Sequence, residues 1–190
     1  MSAFQSTFDS LRGFPRRLSD AAREVRRTAS LAGAAMLAAL SLVLNQFTIA
    51  VSQFLEIGFS FLAAGTCAFL YGPWLAGLMG IVTDVAGYFF AGPTAAFFPG
   101  FTLNEFLLGF LYGCWLYKKP VSLWRTFFAC LSAVLVINLV LTPLWLNIMY
   151  GNAFVISGMR LIKNAVKLPL DTALLYFLLK AVETHRKKAL

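Results

Sequence analysis

From Thr28 to Tyr117 the chain carries no lysine or arginine, and the charged residues in that stretch are Glu56, Asp84 and Glu105 alone. A soluble domain spreads about 25% charged residues over its surface. Here 13% of all residues are charged and 59% are apolar, with a mean hydropathy of +0.76. Such a stretch satisfies its side chains in lipid, so the chain is read as a polytopic membrane protein. The basic residues collect in three places: Arg12, Arg16, Arg17, Arg23, Arg26 and Arg27; Lys118, Lys119 and Arg125; and Lys180, Arg186, Lys187 and Lys188. The net charge of +8 therefore comes mainly from the flanks and one loop. That pattern records membrane orientation rather than nucleic-acid binding.

Apolar runs predict six spans, at 29–47, 59–70, 74–90, 101–117, 124–148 and 154–182. Tyr71, Gly72 and Pro73 separate the second from the third, Pro143 interrupts the fifth, and Pro169 kinks the sixth. Residues 48–58, with Gln53 and Glu56, form a short extended loop in this reading. The expected fold is an all-α membrane protein of six transmembrane helices, with a basic segment at 1–28, the spanning domain at 29–183 and a basic tail at 184–190. For the first segment a surface-lying amphipathic element and an unstructured tail both stand, and Gly13 and Pro15 argue against one continuous helix. With the three basic clusters on the cytoplasmic side, four spans and then two separate them, which places both termini inside.

The sixth span breaks this charge rule. Arg160, Lys163, Asn164, Lys167 and Asp171 fall at offsets 0, 3, 4, 7 and 11, a single helical stripe. A basic residue at the centre of a span costs about 2.5–3.5 kcal/mol even on a lenient insertion scale, so the stripe must face an interior. Two readings stand for Lys167: a ligand contact, or neutralisation by Asp171 four residues on. Arg160 and Lys163 lie at the outer end, where the charge rule predicts few cations, and point to an anionic ligand. Aromatic residues collect at the same end. Phe97, Phe98 and Phe101 lie in or beside an uncharged Pro/Gly loop read as a lid, whereas Trp145 and Tyr150 also suit an interfacial belt.

Asp84 shares a face with Gly77, Gly80 and Gly87, and is either a ligand contact or a carboxylate pinned by a neighbouring helix. Thr102 and Glu105 have the spacing of a capping box, which would commit Glu105 to the helix start. In the first span, Ala34 with Ala38 and Ala35 with Ala39 are small-x-x-x-small pairs. They serve helix packing inside this chain or docking on a partner. Cys67, Cys114 and Cys130 lie apart in apolar runs and read as buried small hydrophobes, without metal or redox spacing. The only histidine is His185 in the basic tail, so no nucleophile-and-base pairing is visible and no enzyme, metal or cofactor is expected. A secondary transporter would lead one to look for an inverted repeat, and none is visible.

The string Phe-Phe-Pro-Gly-Phe-Thr-Leu at 97–103, followed by Leu-Gly-Phe-Leu-Tyr-Gly at 108–113, resembles the substrate-binding S component of energy-coupling factor (ECF) vitamin transporters, the folate-specific group in particular. The Ala-rich first span, Gly72-Pro73 ahead of Asp84, and Leu-Thr-Pro-Leu-Trp at 141–145 agree with it. The resemblance covers roughly residues 30–182 and implies a six-helix protein in the bacterial plasma membrane that captures a vitamin at the outer surface. It also implies docking on a transmembrane coupling subunit driven by two ATP-binding-cassette ATPases, through Ala34, Ala35, Ala38 and Ala39. Folate would set its glutamate carboxylates against Arg160 and Lys163, with Asn164 and Lys167 in the same stripe, and its pterin among Phe97, Phe98, Phe101 or Trp145. Asp84 would read the pterin edge, with Glu105 as the competing carboxylate. Pantothenate and thiamin are the alternative vitamins for the same fold.

Overall fold

A computed structural model describes residues 14–47, 49–52, 55–91, 97–151 and 157–188. Among them the chain is helical apart from one small hairpin. Helix α1 spans Phe14–Glu24 and α2 Thr28–Gln46. Strands β1 (Ile49–Ser52) and β2 (Leu55–Ile57) pair antiparallel, so the extended segment expected at 48–58 doubles back on itself. Helices α3 (Ser60–Tyr71), α4 (Pro73–Ala91) and α5 (Pro99–Leu116) follow. Helix α6 (Leu123–Ala133) passes through a π-helical stretch, Val134–Leu141, into α7 (Thr142–Tyr150), and α8 runs over Ser157–Lys188.

Among the described residues, three helical stretches are long and apolar enough to cross a bilayer: Thr28–Gln46, Pro73–Phe90 and Leu123–Met149. Helix α3 has 12 residues and reaches about 18 Å at 1.5 Å per residue, short of a 30 Å hydrocarbon core. It is largely enclosed by protein, with Phe61, Ala63, Gly65, Thr66, Cys67, Ala68 and Phe69 all buried. Pro143 sits in the first turn of α7, and the π-helical stretch immediately before it takes up the pairing that a proline interrupts.

Glycine makes the tightest joint possible. A Cβ at Gly80 would lie 2.4 Å from the Glu105 carbonyl oxygen, and one at Gly109 2.4 Å from that of Ala76. Helices α4 and α5 therefore meet backbone to backbone, and Gly80 serves this joint rather than an approach to Asp84. Leu175 and Leu179 of α8 are fully buried in a core shared with Cys67, Ala68, Leu75, Ala76 and Cys130.

Of the two sequence expectations for the first segment, its described part, from Phe14 on, agrees with the amphipathic element rather than with the unstructured tail. It contains a helix packed on the bundle, and Pro15 falls in that helix's first turn, where a missing N–H leaves no hydrogen bond unmade. Ala21 is wholly buried against the turn at Gly72, and Lys118 Nζ donates to Asp20 Oδ2 at 3.1 Å. The small residues of α2 divide by face: Ala34 and Ala38 are buried in the core, whereas Ala35 and Ala39 are exposed.

Candidate functional site

Two adjoining cavities lie among α2, α3, α4, α5, α6, the π-helical stretch and α8. The larger, about 190 Å³, is lined by Ser60, Asn104, Glu105, Tyr112, Asn138, Lys167 and Asp171 together with apolar groups of α6. The smaller, about 80 Å³, is lined by Ser41, Asn45, Thr83 and Asp84. Ser60 and Glu105 line both, so the two form one polar interior inside an apolar bundle.

Each polar side chain reaches this interior for a local reason. Helix α5 begins at Pro99, two residues earlier than the sequence reading placed it, because proline at the first position is pre-set for a helical start. The capping box is thereby corrected. Thr102 lies inside the helix and donates to Asp84 Oδ2 at 2.6 Å, and Glu105 turns into both cavities. Asp84 is thus held by a neighbouring helix while still lining the smaller cavity.

On α8, Lys167 Nζ stands 3.8 Å from Asp171 Oδ2, the intrahelical pairing anticipated for it. Both side chains are largely covered, and Asp171 Oδ1 is buried without a hydrogen bond. Asn164 is buried and accepts from Asn138 Nδ2 at 3.1 Å, which ties α8 to the π-helical stretch. Arg160 and Lys163 lie on the first turns of α8, with side chains outside the described residues. The same holds for the side chains of Tyr150 and Glu56, and for Gln53 entirely.

The aromatic residues separate into two groups. Phe98 packs against Phe101 at 5.9 Å and Trp145 at 5.8 Å between ring centroids, whereas Phe97 turns to Tyr88 of α4 at 5.3 Å. Trp145 Nε1 donates to Asn104 Oδ1 at 3.1 Å, and Asn104 Nδ2 donates to Thr142 Oγ1 at 3.3 Å. Buried Asn104 thereby couples the aromatic group to the cavity that it lines.

The arrangement is amphoteric. Among described residues the larger cavity offers two carboxyl groups, one ammonium, two carboxamides and a phenol, a set that accepts hydrogen bonds from a donor-rich heterocycle. The cationic turns of α8 are one to two turns along the helix from Lys167. Asn104, Asn138 and Tyr112 were not singled out from sequence, and Thr102 only as a helix cap. Asn138 carried a signal, a lone amide inside Val-Leu-Val-Ile-Asn-Leu-Val-Leu, since a polar group in such a run must face an interior.

Residues 29–181 match the family model described as "ECF transporter, substrate-specific component". The chain is 33% identical over 150 residues to a folate transporter FolT of Clostridium novyi (strain NT), covering 78% of this chain and 87% of the relative. It is 32% identical over 162 residues to a folate transporter FolT of Leuconostoc mesenteroides subsp. mesenteroides, covering 81% and 86%. Among solved structures, one described as a crystal structure of FolT bound with folic acid superposes with a TM-score of 0.72 at 38% identity. It covers 80% of this chain and 93% of that one.

Proposed function

The chain belongs to the family of substrate-specific components of ECF transporters, and we propose on that premise that it is the folate-capturing subunit of such an importer. The observation that carries the reading is the match, over 93% of its length, to a structure that holds folic acid. The interior described above suits that ligand chemically. A pterin presents an amino group and ring N–H groups, and Glu105, Asp84 and Asp171 supply acceptors for them. The glutamate tail carries two carboxylates, which the guanidinium of Arg160 and the ammonium of Lys163 complement. Phe98, Phe101 and Trp145 give flat surfaces between the two ends. Phe97, Tyr150, Asn164 and Lys167 complete the proposed set, with Lys167 shared between Asp171 and the ligand.

In this reading the chain crosses a bacterial plasma membrane six times, through α2, α3, α4, α5, the continuous α6–α7 rod and α8, with both termini cytoplasmic. The basic clusters then lie on one side, as the charge rule asks. The subunit performs no chemistry. Release inward is driven by a coupling subunit and two ATPases, docked on α2. Of the four alanines, Ala35 and Ala39 are the pair proposed for that contact, since they are exposed while Ala34 and Ala38 are already covered by the bundle.

Purified protein without ATP is titrated with folate, pantothenate and thiamin, and the vitamin that co-purifies is identified by mass spectrometry. Tight folate binding with no response to the other two is the expected result. Binding of pantothenate or thiamin in preference to folate overturns the assignment.

A further inference from the structure

At the end of the bundle holding α1 and the α5–α6 loop, three cations converge with no counter-charge paired to them among the described residues. Arg17 precedes buried Ala21 by one helical turn on the same face of α1, so the contact that seats Ala21 on Gly72 carries Arg17 to the end of α5. There it lines a water-sized cavity with Pro73, Gly113, Cys114 and Tyr117. The residue is partly exposed, but its Nη1 is closed off from solvent and finds no acceptor among the described residues. A charged donor buried in that state is costly unless an anion completes it.

Lys119 stands beside it. Burial holds its ammonium below the ordinary lysine range, and Arg17 and Arg125 push in the same direction. Lys119 and Arg125 each donate to one backbone carbonyl, of Cys114 and Pro120 respectively, which leaves further N–H groups free. The acidic residues of this end among the described ones are committed elsewhere. Asp20 takes Lys118, Glu24 takes Arg27 and Ser30, and Glu183 takes Lys187.

The surface next to the cations is apolar. Lys119 Nζ lies 5.9 Å from the Trp115 ring, Trp115 stacks on Phe128 at 5.6 Å, and Phe128 and Trp124 are exposed. Cations above an outward aromatic wall match a headgroup above its acyl chain, whereas a soluble phosphate would use the cations alone.

We infer that Arg17, Lys119 and Arg125 together hold the phosphate of a net-anionic phospholipid against α5 and α6, with its acyl chain along Trp115 and Phe128. The site is separate from the vitamin cavities and requires only that this end lie at a membrane surface. Because Arg17 comes from α1 and the other two from the loop and α6, the bound lipid also clamps α1 to the bundle.

The full chain in detergent is titrated with phosphatidylglycerol, with phosphatidylcholine of the same acyl chains, and with inorganic phosphate, following melting temperature and bound lipid by native mass spectrometry. Phosphatidylglycerol should bind and raise the melting temperature, with little response to the other two. The triple variant R17Q/K119Q/R125Q should bind phosphatidylglycerol about tenfold more weakly or worse, with folate affinity unchanged. Should the triple variant fail to fold, seen as loss of folate binding, R125Q alone is used and should weaken the lipid about threefold or more. Equal binding of both lipids, or unaltered phosphatidylglycerol affinity in the folded variant, overturns the proposal. A full melting shift from inorganic phosphate alone overturns the lipid assignment in favour of a soluble phosphate.

Discussion

Trp145 Nε1 donates to Asn104 Oδ1 at 3.1 Å and so fastens the helix beyond Pro143 to α5, at the junction between the aromatic group and the polar cavity. Asn104 is 5% exposed, and the substitution N104L removes the acceptor that holds the indole donor. A partnerless donor costs about 1–3 kcal/mol when buried, and less at a half-buried position such as that of Trp145. Folate affinity should fall by about tenfold, a loss well within that energy, when titrated by tryptophan fluorescence. Unchanged affinity and an unchanged emission maximum would detach Trp145 from the site.

The two alanine pairs of α2 should respond differently to bulk. Ala38 is 8% exposed in the core and Ala39 is open. A38L should overpack the bundle and cost about 1–3 kcal/mol of stability. A39L should leave folding and folate binding intact while abolishing uptake in cells that carry the complete transporter. Normal uptake in A39L would remove that face from the docking surface.

Substitution G80V places a side chain against the Glu105 carbonyl and forces α4 away from α5. Since this joint sets where Glu105 and Asp84 stand, both stability and binding should fall, with about 3 kcal/mol or more lost. A melting temperature within a degree or two of the parent's would show that the helices separate at little cost.

Much of the fold was legible from apolar run length, which placed helices at α2, α3, α4, α5 and α6–α7 with ends within a few residues. Helix starts were less legible where proline intervenes. Pro15 and Pro99 read as interruptions, yet each lies in a first turn and begins a helix. The pairing of Lys167 with Asp171 was one of the two readings that the spacing left open, because side chains four apart on a helix are neighbours. Which alanine pair of α2 faces the core did not follow, since both pairs have the same spacing and only the neighbouring helices distinguish them. The role of Asn104 was hidden for a related reason: its partners Thr142 and Trp145 lie far along the chain.

The seating of α1 should depend on pH. The Ser30 hydroxyl holds the Glu24 carboxyl below its ordinary value of about 4.5, partial burial opposes it, and Arg27 and Lys118 add to the lowering. A carboxyl lowered in the folded state stabilises fully above about pH 4.5, and that contribution fades as pH falls through the lower folded value. A spin label at exposed Ala22 should therefore gain mobility on acidification below that value. In S30A, which lacks the main cause of the lowering, the gain should be smaller. An equal response in both would mean that Glu24 does not hold α1.

The central claim is that cations at the start of α8 receive the acidic tail of folate. Affinities of the parent and of R160A for folate and for pteroate, which lacks the glutamate, test it most directly. The parent should prefer folate by about tenfold or more, as loss of a bidentate carboxylate contact implies, and R160A should bind the two nearly alike while keeping the parent's affinity for pteroate. An R160A protein that retains the full preference for folate would contradict the account.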